Sequence, residues 1–112
     1  MTDVDPTDFA AVLQHIRGQA RADNIRITQH AHQAMVEEEI TLDQLQEALG
    51  ASHLLENYPQ HLRGACCLLN GLTCDGRPLH IVCATAQPVL IVITVYEPKP
   101  PKWLTPTQRR EQ

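Results

Sequence analysis

Aromatic side chains are scarce in this chain: Phe9, Tyr58, Tyr96 and Trp103 make up 4% of its 112 residues. A core must therefore come from Leu, Ile, Val, Ala and Cys. No apolar run reaches the roughly 18 residues of a membrane-spanning helix. The opening Thr2-Asp3-Val4-Asp5 is acidic rather than basic-then-apolar, unlike an export leader, so a soluble, cytoplasmic protein with no membrane association is expected. No Cys-x-x-Cys pair occurs, and Cys66, Cys67, Cys74 and Cys83 lie in or beside apolar segments, as reduced core thiols do. His30 and His32 are two apart and point about 200° apart on a helix, so they cannot share one ion. Neither a metal site nor a cofactor is expected. A glycine-rich phosphate loop and a serine nucleophile elbow are missing too, which argues against P-loop and serine-hydrolase chemistry.

What is present divides unevenly. Residues 1–62 hold ten acids and three bases, a balance of −7, and residues 63–112 hold three acids and six bases, +3. The result is an acidic end and a basic end. The length suits one domain with a modest core.

Asp5-Pro6-Thr7-Asp8 reads as a helix start, with Asp5 as cap and Pro6 at the first helical position. Phe9, Val12, Leu13 and Ile16 then form one apolar stripe. Ile25-Arg26-Ile27 reads as an extended link. Thr28 caps a second helix to about residue 39, with Ala31, Ala34 and Met35 facing inward. Thr41-Leu42-Asp43-Gln44 is a capping pattern opening a third, whose stripe is Leu42, Leu45 and Leu49. Segments 52–58, 65–73, 77–85 and 89–96 are rich in β-branched or apolar residues and bounded by Gly or Pro, which predicts strands. Helices first and strands after give an α+β class, with N-terminal helices packed on one face of a 3–4-stranded antiparallel meander.

Asp75-Gly76 predicts a two-residue type I′ hairpin, which places Cys74 opposite Arg77. One face then carries Cys66, Leu68, Asn70, Leu72, Leu79, Ile81 and Cys83, and the other carries Cys67, Leu69, Gly71, Thr73, His80, Val82 and Ala84. Cys66 and Cys83 become diagonal neighbours, and His80 and Tyr96 need not share a face. Both faces are apolar, so a second subunit or a partner protein is expected against the face the helices leave.

Two histidines have positions suited to chemistry. His30 sits in the first turn of a helix, where the dipole favours the neutral imidazole. His80 lies within a strand just after Arg77. Tyr96-Glu97 ends the last strand, and Arg63, Arg77, Lys99 and Lys102 supply positive charge. An imidazole, a phenol and a guanidinium suffice for cleaving RNA without a metal: a base takes the 2′-hydroxyl proton, an acid protonates the leaving oxygen, and a cation offsets charge on the phosphorane. Trp103, among Lys99, Lys102, Arg109 and Arg110, has two uses, stacking on a base or folding back onto the sheet.

Thr28-Gln29-His30-Ala31 with Met35, Glu56-Asn57-Tyr58-Pro59, Gly76-Arg77-Pro78-Leu79-His80 and Ile93-Thr94-Val95-Tyr96-Glu97-Pro98 together resemble the small bacterial proteins grouped as domain of unknown function 4258. The resemblance spans about residues 25–103, leaving 1–24 as an N-terminal helix extension and 104–112 as a C-terminal tail. It implies a RelE-like fold of the barnase–colicin–RelE group, with some relatives looking like toxins encoded beside a zinc-finger antitoxin. The family's helix histidine falls on His30, its turn arginine on Arg77, its strand histidine on His80 and its terminal pair on Tyr96-Glu97. This chain departs from the family at Ala34 and at Glu38-Glu39, where arginines are usual. The expected function is a metal-independent ribonuclease, the toxin component of a toxin–antitoxin pair. Its catalytic residues would be His30, His80 and Tyr96, its substrate cations Arg63, Arg77, Lys99 and Lys102, and its partners RNA or the ribosome and an antitoxin-like protein. The alternative is a catalytically silent module that dimerises or binds a partner through an apolar sheet face.

Overall fold

Asp8 caps the first helix, α1 (Phe9–Arg21), by accepting from the Ala11 N–H at 3.2 Å. The computed structural model describes residues 8–60, 64–85, 89–100 and 103–109, so the expected Asp5-Pro6 start lies outside the described residues. Thr28 caps α2 (Gln29–Glu38), and Thr41 and Gln44 form the expected capping box of α3 (Leu42–Gly50). Helix α2 ends in a Schellman motif: Glu39 takes the left-handed conformation at φ 55, Ile40 N–H donates to Met35 O at 2.8 Å and Glu39 N–H to Val36 O at 3.3 Å. Ile40 is buried just after the motif, so the chain turns inward there.

The helices pack on one face of a five-stranded sheet built from β1 (Ile25–Ile27), β2 (Ser52–Tyr58), β3 (Cys66–Leu72), β4 (Pro78–Ala84) and β5 (Leu90–Tyr96). Its order is β1-β5-β4-β3-β2. Strands β2 to β5 form the expected antiparallel meander. The link at Ile25–Ile27 is instead an edge strand, parallel to β5 with Ile27 beside Val92. Two further short strands, β6 (Trp103–Thr105) and β7 (Gln108–Arg109), make a separate hairpin.

The β3–β4 register differs by one residue from the sequence expectation. Thr73, not Cys74, opposes Arg77, with Thr73 N–H bonded to Arg77 O at 3.0 Å and Gly76 N–H to Thr73 O at 2.9 Å. Only Gly76 in the loop has positive φ (85), so Asp75 does not adopt the type I′ geometry. The connection is a three-residue loop, a turn followed by a left-handed glycine. Because side chains alternate, that single residue exchanges the faces of β3. Cys67, Leu69 and Gly71 now face the helices with Cys83, Ile81 and Leu79, while Cys66, Leu68 and Asn70 share the far face with Ala84, Val82 and His80.

The helix-covered face holds the core. Val12 and Ile16 of α1, Ala31 and Met35 of α2, and Leu45, Ala48 and Leu49 of α3 pack on Cys67, Leu69, Leu79, Ile81, Cys83, Leu90, Val92 and Val95. Phe9 and Leu42, expected in the helical stripes, are more than half exposed at 56% and 52%. Gly71 lets α3 lie directly on β3, since a Cβ there would sit 2.1 Å from the Ala48 carbonyl oxygen. Cys67, not Cys66, meets Cys83, with their sulfur atoms 3.6 Å apart. The hydrogen bond with Cys67, followed by burial, raises the Cys83 thiol well above its ordinary value.

Candidate functional site

The far face owes its arrangement to a bulge. In β4–β5, His80 pairs with Tyr96 and Val82 with Thr94, but Cys83 pairs with Val92, so Ile93 is the extra residue. The Ile93 carbonyl accepts from the Thr28 hydroxyl at 2.9 Å, and the same hydroxyl accepts from Ala31 N–H at 3.0 Å. One side chain thus caps α2 and ties it to the bulge. Beyond the bulge the pairing puts Tyr96 on the same face as His80. Continued through β3 and β2, the register lines up His53, Asn70, His80 and Tyr96 in one row across four strands. The Asn70 Oδ1 is buried with no hydrogen-bond partner among the described residues.

His80 is the chemical centre of that row. It is fully buried, at 0% exposure. Its Nε2 lies 2.6 Å from the Pro106 carbonyl oxygen and its Nδ1 lies 3.3 Å from Tyr96 Oη. A carbonyl can only accept, so the neutral ring carries its proton on Nε2 and offers Nδ1 as acceptor to the Tyr96 hydroxyl. Trp103 stands edge-on against the imidazole, with ring centroids 4.2 Å apart at 90°, and is itself buried at 3% exposure. Of its two expected uses, Trp103 therefore folds back on the sheet, on the face where a partner protein was expected. Tyr96 remains partly open. The arrangement is a carbonyl, an imidazole and a hydroxyl in series, with a base oriented by a third group, and it can move a proton to or from the phenol.

Arg77 has other work. Its Nε donates to Glu97 Oε1 at 2.8 Å, its Nη2 to Glu38 O at 2.7 Å and its Nη1 to Glu39 O at 3.0 Å. The guanidinium satisfies the last carbonyls of α2, where a cation is favourable. Glu38 Oε1 accepts from Glu97 N–H at 2.9 Å, closing the cluster. At positions 38 and 39, where the family usually has arginine, it is the backbone carbonyls that accept from Arg77, and any residue there would offer them.

His30 is exposed in the first turn of α2, on the opposite side of the sheet from His80. It lies some 12 Å along the helix from Glu38 at about 1.5 Å of rise per residue. Among the expected site residues, His80 and Tyr96 come together, and His30 and Arg77 belong to opposite ends of one helix. Lys99 is exposed beyond Tyr96, and Arg63 and Lys102 lie outside the described residues. Among the described residues no three His, Cys, Asp or Glu side chains gather as a metal site would need, and no helix is long and apolar enough to cross a membrane.

Sequence reasoning did not find Pro106, because a backbone carbonyl leaves no residue signature. The His80–Tyr96 pairing depends on the β4–β5 register and its extra residue at Ile93, which no local pattern marks. An open depression lined by Asn57, Tyr58, Pro59 and Gln60 lies at the end of β2, where the Tyr58 hydroxyl donates to Glu56 Oε1.

Residues 27–97 match the model of the family described as Domain of unknown function (DUF4258). No curated protein and no solved structure matches the chain.

Proposed function

We propose that this chain, which belongs to the DUF4258 family, is a ribonuclease that cuts RNA by acid–base chemistry at Tyr96 and His80. The observation that carries the proposal is the hydrogen-bonded series from Pro106 O through the His80 ring to Tyr96 Oη. RNA is a substrate such a pair can serve because it brings its own nucleophile. Tyr96 takes the 2′-hydroxyl proton as its own proton passes to His80 Nδ1. The 2′-oxygen bonds to phosphorus and the bond to the 5′-oxygen breaks. Tyr96 then protonates that leaving oxygen and recovers a proton from His80. The products are a 2′,3′-cyclic phosphate and a free 5′-hydroxyl, and both side chains return to their starting states. Proton transfer of this kind contributes about 10²- to 10⁴-fold in rate.

In this proposal His30 leaves the catalytic set and Arg77 leaves the substrate cations, Arg77 because Glu97 and the end of α2 occupy its guanidinium. The substrate cations are Lys99, Arg63 and Lys102. The RelE-like, toxin-type role, the bacterial cytoplasmic setting and an antitoxin-like partner rest on the family resemblance and form the outer part of the proposal.

The test incubates purified protein with single-stranded RNA in the presence of a chelator and maps the ends. Expected are 2′,3′-cyclic phosphate termini, no cleavage where the 2′-hydroxyl is replaced by hydrogen, and slowed growth on expression that Tyr96→Phe relieves. Intact RNA together with a concentration-dependent dimer would instead favour the silent interaction module.

A further inference from the structure

We infer that the C-terminal hairpin Trp103–Arg109 is a positioning part of the His80–Tyr96 site, with the Pro106 carbonyl selecting the ring nitrogen that carries the proton. The catalytic meaning of this inference rests on the ribonuclease proposal, but the proton's location does not. Four observations support it. The Pro106 oxygen stands 2.6 Å from His80 Nε2. Proline has no N–H, so its backbone offers that ring an acceptor only. His80 is fully buried, so water is not at hand as a substitute acceptor. Trp103 stands edge-on against the ring at 4.2 Å between centroids.

The consequence follows from the two neutral forms of imidazole. With the proton on Nε2, Nδ1 accepts from Tyr96 and can draw the proton off the phenol. With the proton on Nδ1, the ring donates to Tyr96 Oη and offers the phenol no base. The pairing of β6 with β7, Trp103 beside Arg109 and Thr105 beside Gln108 with a register shift between them, puts Pro106 at the turn where its carbonyl meets the ring. Trp103 is the clamp and the Pro106 carbonyl is the selector. Neither touches the substrate, so both are positioning groups.

The experiment is long-range nitrogen–proton correlation NMR on His80 in the full chain, with RNA cleavage measured in parallel. The wild-type protein is expected to show a single form protonated on Nε2. Trp103→Ala, verified as folded by circular dichroism, is expected to show a mixture of both forms and at least a tenfold slower cleavage, and Trp103→Phe to restore both. A wild-type ring protonated on Nδ1 overturns the inference without any variant. So does a Trp103→Ala protein that keeps the single Nε2-protonated form. If the wild type leaves RNA intact yet shows the Nε2 form and loses it in Trp103→Ala, positioning stands and the ribonuclease proposal falls.

Discussion

The two faces of this sheet are made by alternate residues of the same strands, yet they do different things. Toward the helices, Leu69, Leu79, Ile81, Val92 and Val95 are fully buried and apolar. On the far face the same strands present His53, Asn70, His80 and Tyr96 in a row, roofed at His80 by a hairpin rather than a helix. The first face owes its strength to non-directional burial, which tolerates exchange of one apolar residue for another. The second depends on which atom donates and which accepts, so single atoms matter there. Adjacent residues of one strand should therefore answer mutation in unlike ways.

Gly71 and Asn70 give the sharpest version. Gly71→Ala forces a Cβ against the Ala48 backbone, and α3 must lift from β3. A loss of about 3 kcal/mol is expected in urea unfolding, at the upper end of overpacking costs. Asn70→Ala, one residue away on the other face, removes an unsatisfied buried oxygen and should cost under about 1 kcal/mol. Equal losses would break the contrast between the faces.

Arg77→Met separates fold from chemistry. It removes the bonds to the Glu38 and Glu39 carbonyls and leaves Glu97 without its cation. A cost of about 2 kcal/mol is expected for charge-assisted bonds at a partly exposed site. RNA cleavage at a temperature where the variant is fully folded should stay within about threefold of wild type, far below the ~10²-fold floor for loss of a proton-transfer group. Loss of cleavage in a folded Arg77→Met protein would return Arg77 to the phosphate site.

Glu39→Gly should act in the opposite direction. The left-handed conformation at φ 55 disfavours any residue with a Cβ, and relieving it should raise stability by roughly 0.5–1 kcal/mol, since glycine's extra unfolded-state entropy offsets part of the gain. The carbonyl that Arg77 uses remains. A fall in melting temperature would mean that the Glu39 side chain matters more than its backbone.

The smallest effect belongs to the β3–β4 loop. The Thr73 hydroxyl donates to Asp75, lowering its carboxyl below the ordinary aspartate value. A depressed folded-state value means a contribution present in full above the unfolded value and lost as pH falls through the folded one. Asp75→Asn should therefore lower stability slightly at neutral pH, flatten the curve on the acid side and converge with the wild type once the pH falls below the folded value. A difference from the wild type that stays the same from neutral to acid pH would mean that the charge of the Asp75 carboxyl contributes nothing.

Much of the fold was legible because it rests on local chemistry. The caps at Thr28 and Thr41 are local patterns, and Val12, Ile16, Leu45 and Leu49 recur at helical spacing, so these elements stand where the sequence placed them. The faces were not legible, because Asp75-Gly76 suits both a two-residue and a three-residue loop and only the long-range fit chooses between them. The parallel pairing of Ile25–Ile27 with Leu90–Val92 joins residues more than sixty apart, beyond any window of periodicity. The site had the same obscurity. His80 and Tyr96 were both singled out, but their meeting depends on an extra residue at Ile93, and their orienting group is a carbonyl that any residue at position 106 could contribute.

Single-turnover cleavage of one RNA oligonucleotide by the wild type and Tyr96→Phe, with chelator present, tests the central claim most directly. Phenylalanine keeps the ring and removes only the hydroxyl that His80 accepts from. The account expects a loss of about 10²-fold or more with an unchanged fold. Equal rates for the two proteins would contradict it and remove the chemistry from the far face of the sheet.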